Sequence, residues 1–517
     1  MKFRLCNPFC ILGLVVLWRV LLLAFTAQPI PANDAFFFDG AVVNQILHGH
    51  YFNPSLAEAF PISGHQVYSA YPPLYQGAMM LWMLVFGASV ISAMALHVTL
   101  LTLAAFLTLR IVTNFFPATV NYAIVPLLFF GITFSDRPED LAHVFGLTSL
   151  WLLARTISGK ENRFALVFIT ITLLCALYTS IIVGALYFGT GFLVAALAWL
   201  ARLKGSIEPR LHLAVLAPFI ATAMLFALIT GIIIKFEPLL WHGFLENARQ
   251  TSVVTSGVHL PTRESLLKLI RTLPVFLLAL VAFPFIFTRR KQLAIEPWLI
   301  LLTGVLMMGV LMLIVAITVL APDYVNYANY LQVIVAAGLL ALAPKLFSAG
   351  QCWPRGLILA CTLMMSVRAV GMTTWGVACA WKNSYARTHE TLRTELKPFA
   401  NSPAPVVISS AFLYSALEFG VQRPIHSDWY YDRAVGTNGS GFAALTTLRP
   451  PKIILTQFDY YRGFTEVLDR LQHHPELVVV RVRDEAAVRP PESIPKMQRV
   501  VQHVSWAPVI VDLDWKN

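Results

Sequence analysis

The chain has 517 residues, of which 57% are hydrophobic and only 13% charged, with a mean hydropathy of +0.68. A soluble globular chain carries about twice that charged fraction, so this composition excludes one. It asks instead for repeated apolar runs of about 20 residues, each able to cross a ~30 Å hydrocarbon core. The formal charge of +11 is then no nucleic-acid signature, because in a membrane protein the placement of Lys and Arg says more than their sum.

The first apolar run, 9–27, follows a basic start at Lys2 and Arg4. It reads as a membrane helix and not as a cleaved signal peptide, since Arg19 interrupts it and further spans follow. A lipid-facing guanidinium is costly, so Arg19 is expected to face the bundle interior. Later runs fall at 73–88, 90–110, 119–134, 140–155, 164–181, 182–201, 211–234, 266–288, 295–320, 328–344 and 356–381.

The run 73–88 is short for a crossing. If it lies along the membrane surface, Lys2, Arg4, Arg110, Arg155, Arg289, Arg290, Lys291, Lys345 and Arg355 share the cytoplasmic side, as the positive-inside rule demands. The other side keeps Arg137, Arg249 and Arg263, with Lys235 at a boundary, and the 28–73 loop has no Lys or Arg. The expected architecture is an α-helical polytopic membrane module over 1–381. It has about eleven transmembrane helices, and the first outer loop, 28–89, carries surface helices. A small α/β domain follows over 382–517, on the non-cytoplasmic side.

In that domain, 406–408, 452–455 and 477–480 read as buried strands and 464–471 as an amphipathic helix, with loops at 401–403 and 436–441. It contains no nucleotide-binding glycine pattern, nucleophile elbow or metal motif, so accessory or binding use is expected of it. The six cysteines lie in or beside apolar segments and read as small hydrophobes. No His/Cys ligand spacing asks for a metal; a divalent ion stays an open alternative.

Three stretches carry chemistry. Asp34 stands just past the first span, with Asp39 five residues on and His48-Gly49-His50-Tyr51 closing the stretch. A carboxylate at the membrane boundary serves as a general base toward a hydroxyl or as a helix N-cap, and both readings stand. Ser135-Asp136-Arg137-Pro138-Glu139-Asp140 packs three acids and one Arg between two apolar runs. His143, one turn on, points along the same face, as the wall of a charged cavity would. Trp241 to Arg249, continuing to His259 and Arg263, offers guanidinium forks suited to phosphate or is simply a solvated loop. Tyr324, Tyr327 and Tyr330, with Asp323 and Asn326, read as an interfacial aromatic belt.

The order and spacing of these features resemble the GT-C superfamily of polytopic glycosyltransferases. The nearest groups are the protein-O-mannosyltransferase-like and aminoarabinose-transferase-like enzymes of the family 39 type. The resemblance rests on residues 10–160: Asp34 past the first span, a surface helix ending at Gly49, Tyr71-Pro72-Pro73-Leu74-Tyr75 leading to Phe86-Gly87, and Arg137-Pro138-Glu139-Asp140. It departs from the family at Ala35, Phe37 and Tyr71, which weakens the lipid-A-modifying activity specifically.

The resemblance implies transfer of a sugar from a polyprenyl-phosphate donor to a lipid, glycan or protein acceptor on the outer face of a bacterial inner membrane, with inversion. Asp34 is the implied base, Asp39 its competitor, and Glu139 and Asp140 the second acidic site. Binding falls to Arg137, Asp136, Arg249, Arg263, Lys235, His48, His65 and Tyr71. No nucleic acid and no cofactor beyond the lipid-linked donor is implied. The rivals are a transporter or flippase for a lipid-linked glycan, and a glycan polymerase or ligase acting through Arg249 and Arg263.

Overall fold

The computed structural model describes residues 8–31, 35–115, 136–158, 164–203, 213–255, 381–427, 440–487 and 505–516, with a few more between 302 and 378. Helix α1 (Pro8–Thr26) forms the first apolar run. The loop that follows folds as α2 (Ala35–His48), α3 (Pro61–His65) and α4 (Leu74–Phe86). Gly49 and Gly87 end α2 and α4 at φ 78° and 87°, a left-handed turn that any Cβ would disfavour.

With 13 residues, α4 is about 20 Å long, too short for the hydrocarbon core. Tyr75, Gln76, Met79 and Met83 are buried, whereas Leu81, Leu84, Val85 and Phe86 are exposed. Such a two-sided apolar helix suits a boundary between protein and lipid.

Five apolar runs then fold as α5 (Val90–Phe115), α6 (Glu139–Ile157), α7 (Phe164–Thr179), α8 (Ile181–Leu203) and α9 (Ala217–Phe236). Among the described residues, Val90–Thr113, Ile181–Leu200 and Ala214–Phe236 are long and apolar enough to cross a membrane. Helix α6 is central, packed by α5, α7 and α8. The runs expected at 119–134, 266–288, 295–320, 328–344 and 356–381 lie wholly or largely outside the described residues.

Trp241–Arg249 is not a solvated loop: it belongs to helix α10 (Pro238–Thr255). Asn247 Nδ2 donates to the Ala70 carbonyl at 2.7 Å, and the Glu246 carboxyl lies beside the Ile62 and Ser63 backbone. These contacts tie α10 to the first loop, which is why the stretch is helical and partly buried.

The C-terminal unit opens with α11 (Tyr385–Leu396), capped by Ser384. It continues as β1 (Val406–Ile408), α12 (Ser410–Glu418), β2 (Pro424–His426), α13 (Ser440–Leu448), β3 (Lys452–Thr456), α14 (Thr465–Gln472), β4 (Leu477–Asp484) and β5 (Pro508–Trp515). The sheet order is β2-β1-β3-β5-β4. Strand β1 is parallel to β2 and β3, and β5 is antiparallel to β3 and β4.

Side chains alternate across the sheet. Val406 and Ile408 therefore share a core with α12, while Val407, Ile453 and Leu455 pack with residues of α13 and α14. The strands β2 and β5 are additional to those expected. The segment 477–480 is not a buried strand: β4 lies at the sheet edge and leaves Val478 57% exposed. The loop expected at 436–441 gives way at Ser440, where α13 begins.

Candidate active site

Helix α2 buries Ala35, Phe36, Phe38, Asp39, Val42 and Val43, a helical stripe with a carboxylate where a hydrophobe would ordinarily stand. Asp39 is fully buried. Its Oδ1 lies 2.6 Å from Tyr75 Oη on α4, and its Oδ2 accepts from Tyr414 Oη on α12 at 2.5 Å. Tyr75 Oη is also 3.0 Å from His97 Nε2 on α5. His97 Nδ1 is 2.9 Å from Asp140 Oδ2 in the first turn of α6. Four elements thus contribute one side chain each to a single buried chain, and the C-terminal unit closes its Asp39 end.

Burial pushes the Asp39 carboxyl above the ordinary carboxylate range, while His97 and the hydroxyls of Tyr414 and Tyr75 pull it back. Burial and the adjacent Asp39 push both tyrosine hydroxyls well up, so they remain protonated donors.

The protons can be counted from the donor inventory. If Tyr75 donates to Asp39, His97 must donate from Nε2 to Tyr75 Oη. The Nδ1 contact then needs either an imidazolium or a protonated Asp140. If Tyr75 donates to His97, Asp39 must carry the proton instead, and neutral His97 donates from Nδ1 to Asp140. In each arrangement Asp39, His97 and Asp140 together hold one net negative charge. All the bonds are made only when the two carboxyls and the imidazole together hold one proton beyond the one that a neutral imidazole carries.

Beside this chain, Glu139 Oε1 accepts from Tyr71 Oη at 2.6 Å and from Ser180 Oγ at 3.4 Å. Glu139 Oε2 lies 3.3 Å from Arg137 Nε. Both Glu139 and Asp140 belong to the first turn of α6, where the helix dipole favours negative charge. The Arg137 side chain is 30% exposed and lies over the Phe38 ring, so it borders both the cluster and the outside. Asp136 is buried within electrostatic reach of Tyr414. Arg19 of α1 is likewise within reach of Asp140 and Tyr330.

The structure therefore gathers Asp39, Tyr71, Asp136, Arg137, Glu139 and Asp140. Exposed His48 and His65, at the ends of α2 and α3, and exposed Lys235 at the end of α9 take no part in these hydrogen bonds. Asp34, Arg263 and the side chain of Arg249 lie outside the described residues. His143 does not join Glu139 in a charged wall. Its Nδ1 is 2.9 Å from Tyr187 Oη and its ring packs on Tyr330 at 4.8 Å, because α8 covers that side of α6.

Sequence reasoning missed His97, Tyr75 and Tyr414 as site residues. A lone ionisable residue inside the 90–110 run was a usable signal for His97, and Tyr75 stood within the Tyr71–Tyr75 segment. Tyr414 carried none. Among the described residues no three His, Cys, Asp or Glu side chains are grouped to hold a metal ion.

No family model matches the chain, and no curated protein matches it by sequence. Among solved structures it is similar to ArnT from Cupriavidus metallidurans bound to undecaprenyl phosphate, with 14% identity over 98% of each chain and a TM-score of 0.47. It is also similar to the oligosaccharyltransferase of Archaeoglobus fulgidus in complex with Zn and sulfate, with 11% identity over 86% of this chain and 68% of that one, and a TM-score of 0.44.

Proposed function

We propose that the chain is a membrane glycosyltransferase that moves a sugar from a polyprenyl-phosphate donor to an acceptor hydroxyl on the non-cytoplasmic face, with inversion. One observation carries this reading. Segments 35–48, 71–86 and 137–140, separated in sequence and singled out by their motifs, converge with His97 on one buried carboxylate–tyrosine–histidine chain. In the reaction the acceptor oxygen bonds to the anomeric carbon as the carbon–phosphate oxygen bond breaks. The hydroxyl proton goes to a carboxylate, with Asp34 favoured over Asp39, whose oxygens both already engage tyrosines. The lipid phosphate leaves with its charge, which cations such as Arg137, Arg249, Arg263 or Lys235 would stabilise.

A transporter is the second reading, because a buried chain of this kind also serves proton coupling. Against it, Asp140 lies in the first turn of α6 and His97 only about 10 Å into α5, near helix ends and not at a midplane. The test compares Asp34→Asn, Asp39→Asn and Arg249→Ala for labelled-sugar transfer in membranes. Asp34→Asn should lower the rate about a hundredfold or more with expression and insertion unchanged. Normal transfer by that variant sinks the assignment of the base, and loss confined to Arg249→Ala favours a polymerase or ligase.

A further inference from the structure

We propose that the C-terminal α/β unit is a positioning part of the active site, with Tyr414 and Ser410 as the residues that hold α2 in place. The inference rests on the glycosyl-transfer reading only for its catalytic consequence. The first amides of a helix have no partner within it. Here the Phe36 N–H, in the first turn of α2, donates to Ser410 Oγ at 2.8 Å, from a residue 374 positions away. One turn on, Tyr414 donates to Asp39 while its ring meets Phe36 edge-on at 5.0 Å. At the far end of α2, His48 Nε2 lies 3.1 Å from the Leu417 carbonyl. Phe36, Asp39, Ser410 and Tyr414 are all buried.

Apolar packing alone would dock α12 on α2 but would not set its rotation and axial position. A hydroxyl on the first-turn amide and another on a carboxylate oxygen do both. Because α2 begins directly after Asp34 in the sequence, and Asp39 is one end of the proton-sharing chain, the placement of α2 bears on both carboxylates. The tail is then no appended module but a wall of the site.

The experiment uses the full chain in detergent and compares wild type with Tyr414→Phe, Ser410→Ala and, as a control in the same unit, Tyr461→Phe, whose hydroxyl serves Asp484. Hydrogen–deuterium exchange of peptides covering 35–48 should quicken about tenfold in the first two variants, with the 406–408, 452–456 and 508–515 strands unchanged. In the sugar-transfer assay kcat should fall about tenfold while the donor KM stays within about twofold, and Tyr461→Phe should match wild type. Unchanged exchange in α2 overturns the proposal, as does faster exchange with an unaltered kcat. If the wild type transfers no sugar, the reading of the reaction fails, and the exchange data still decide whether the tail holds α2.

Discussion

The Asp39–Tyr75–His97–Asp140 chain and the Glu395–Lys452–Arg483–Asp512 quartet on the C-terminal sheet differ first in their access to water. Every carboxylate and imidazole of the chain is buried to within 1% exposure. In the quartet, Lys452 pairs with Glu395 and Asp512, and Arg483 with the same two acids at 2.9 and 3.2 Å, on side chains from 12% to 36% exposed. Water can replace any bond lost from the quartet but reaches none in the chain. Polar contacts therefore do different work in the two regions: the chain fixes a proton inventory, while the quartet mildly steadies β3, β4, β5 and α11.

The largest expected break in this comparison is His97→Phe. It removes the imidazole from the buried Asp140 carboxylate and one of the two bonds of the Tyr75 hydroxyl, so it should destabilise the chain by about 3 kcal/mol or more, read as thermal unfolding of the detergent-purified protein. A loss under about 1 kcal/mol would put the chain in the same class as a solvated pair.

Acidity should sharpen the contrast, because the two regions respond with opposite sign. The Asp39 carboxyl is raised by burial, so its contribution is present at low pH and is lost as pH rises through its folded value. Glu395 is held below the ordinary carboxylate range, first by its hydrogen bond from Arg483. Its contribution is present above the ordinary value and lost as pH falls through the folded one. Exchange protection of α2 should thus weaken toward alkaline pH and that of β4 and β5 toward acid, with Asp39→Asn removing only the former trend. Parallel trends would contradict the assignment.

The smallest effect is expected from Arg483→Ala. With the side chain 36% exposed, it should cost under about 1 kcal/mol, less still at high salt. A cost of several kcal/mol, insensitive to salt, would show the quartet to be shielded like the chain.

Much of the helical plan was legible locally. Apolar runs predicted α1 and α5 to α9, Gly49 and Gly87 marked the ends of α2 and α4, and the shortness of the 73–88 run set α4 apart from the longer helices. Residues such as Glu139 and Asp140 announced themselves by an excess of acid in one turn. β2 and β5 escaped notice because a three-residue strand opening with Pro424 and a strand carrying Asp512 and Asp514 look like loop by composition. Val478 misled in the other direction, since edge or centre is set by the neighbouring strand and not by the residue.

The sequence by itself determined the membrane class, the sites where helices start and stop, and the gathering of acids near helix ends. These depend on hydrophobicity, charge and backbone preference, which act over a few residues. Tertiary structure alone decided which carboxylate meets which donor. Tyr414 reaches Asp39 from 375 positions away, and His97 meets Asp140 across two helices. A hydrogen bond depends on distance and direction in space, and nothing in the local pattern around Asp39 or Tyr414 encodes either.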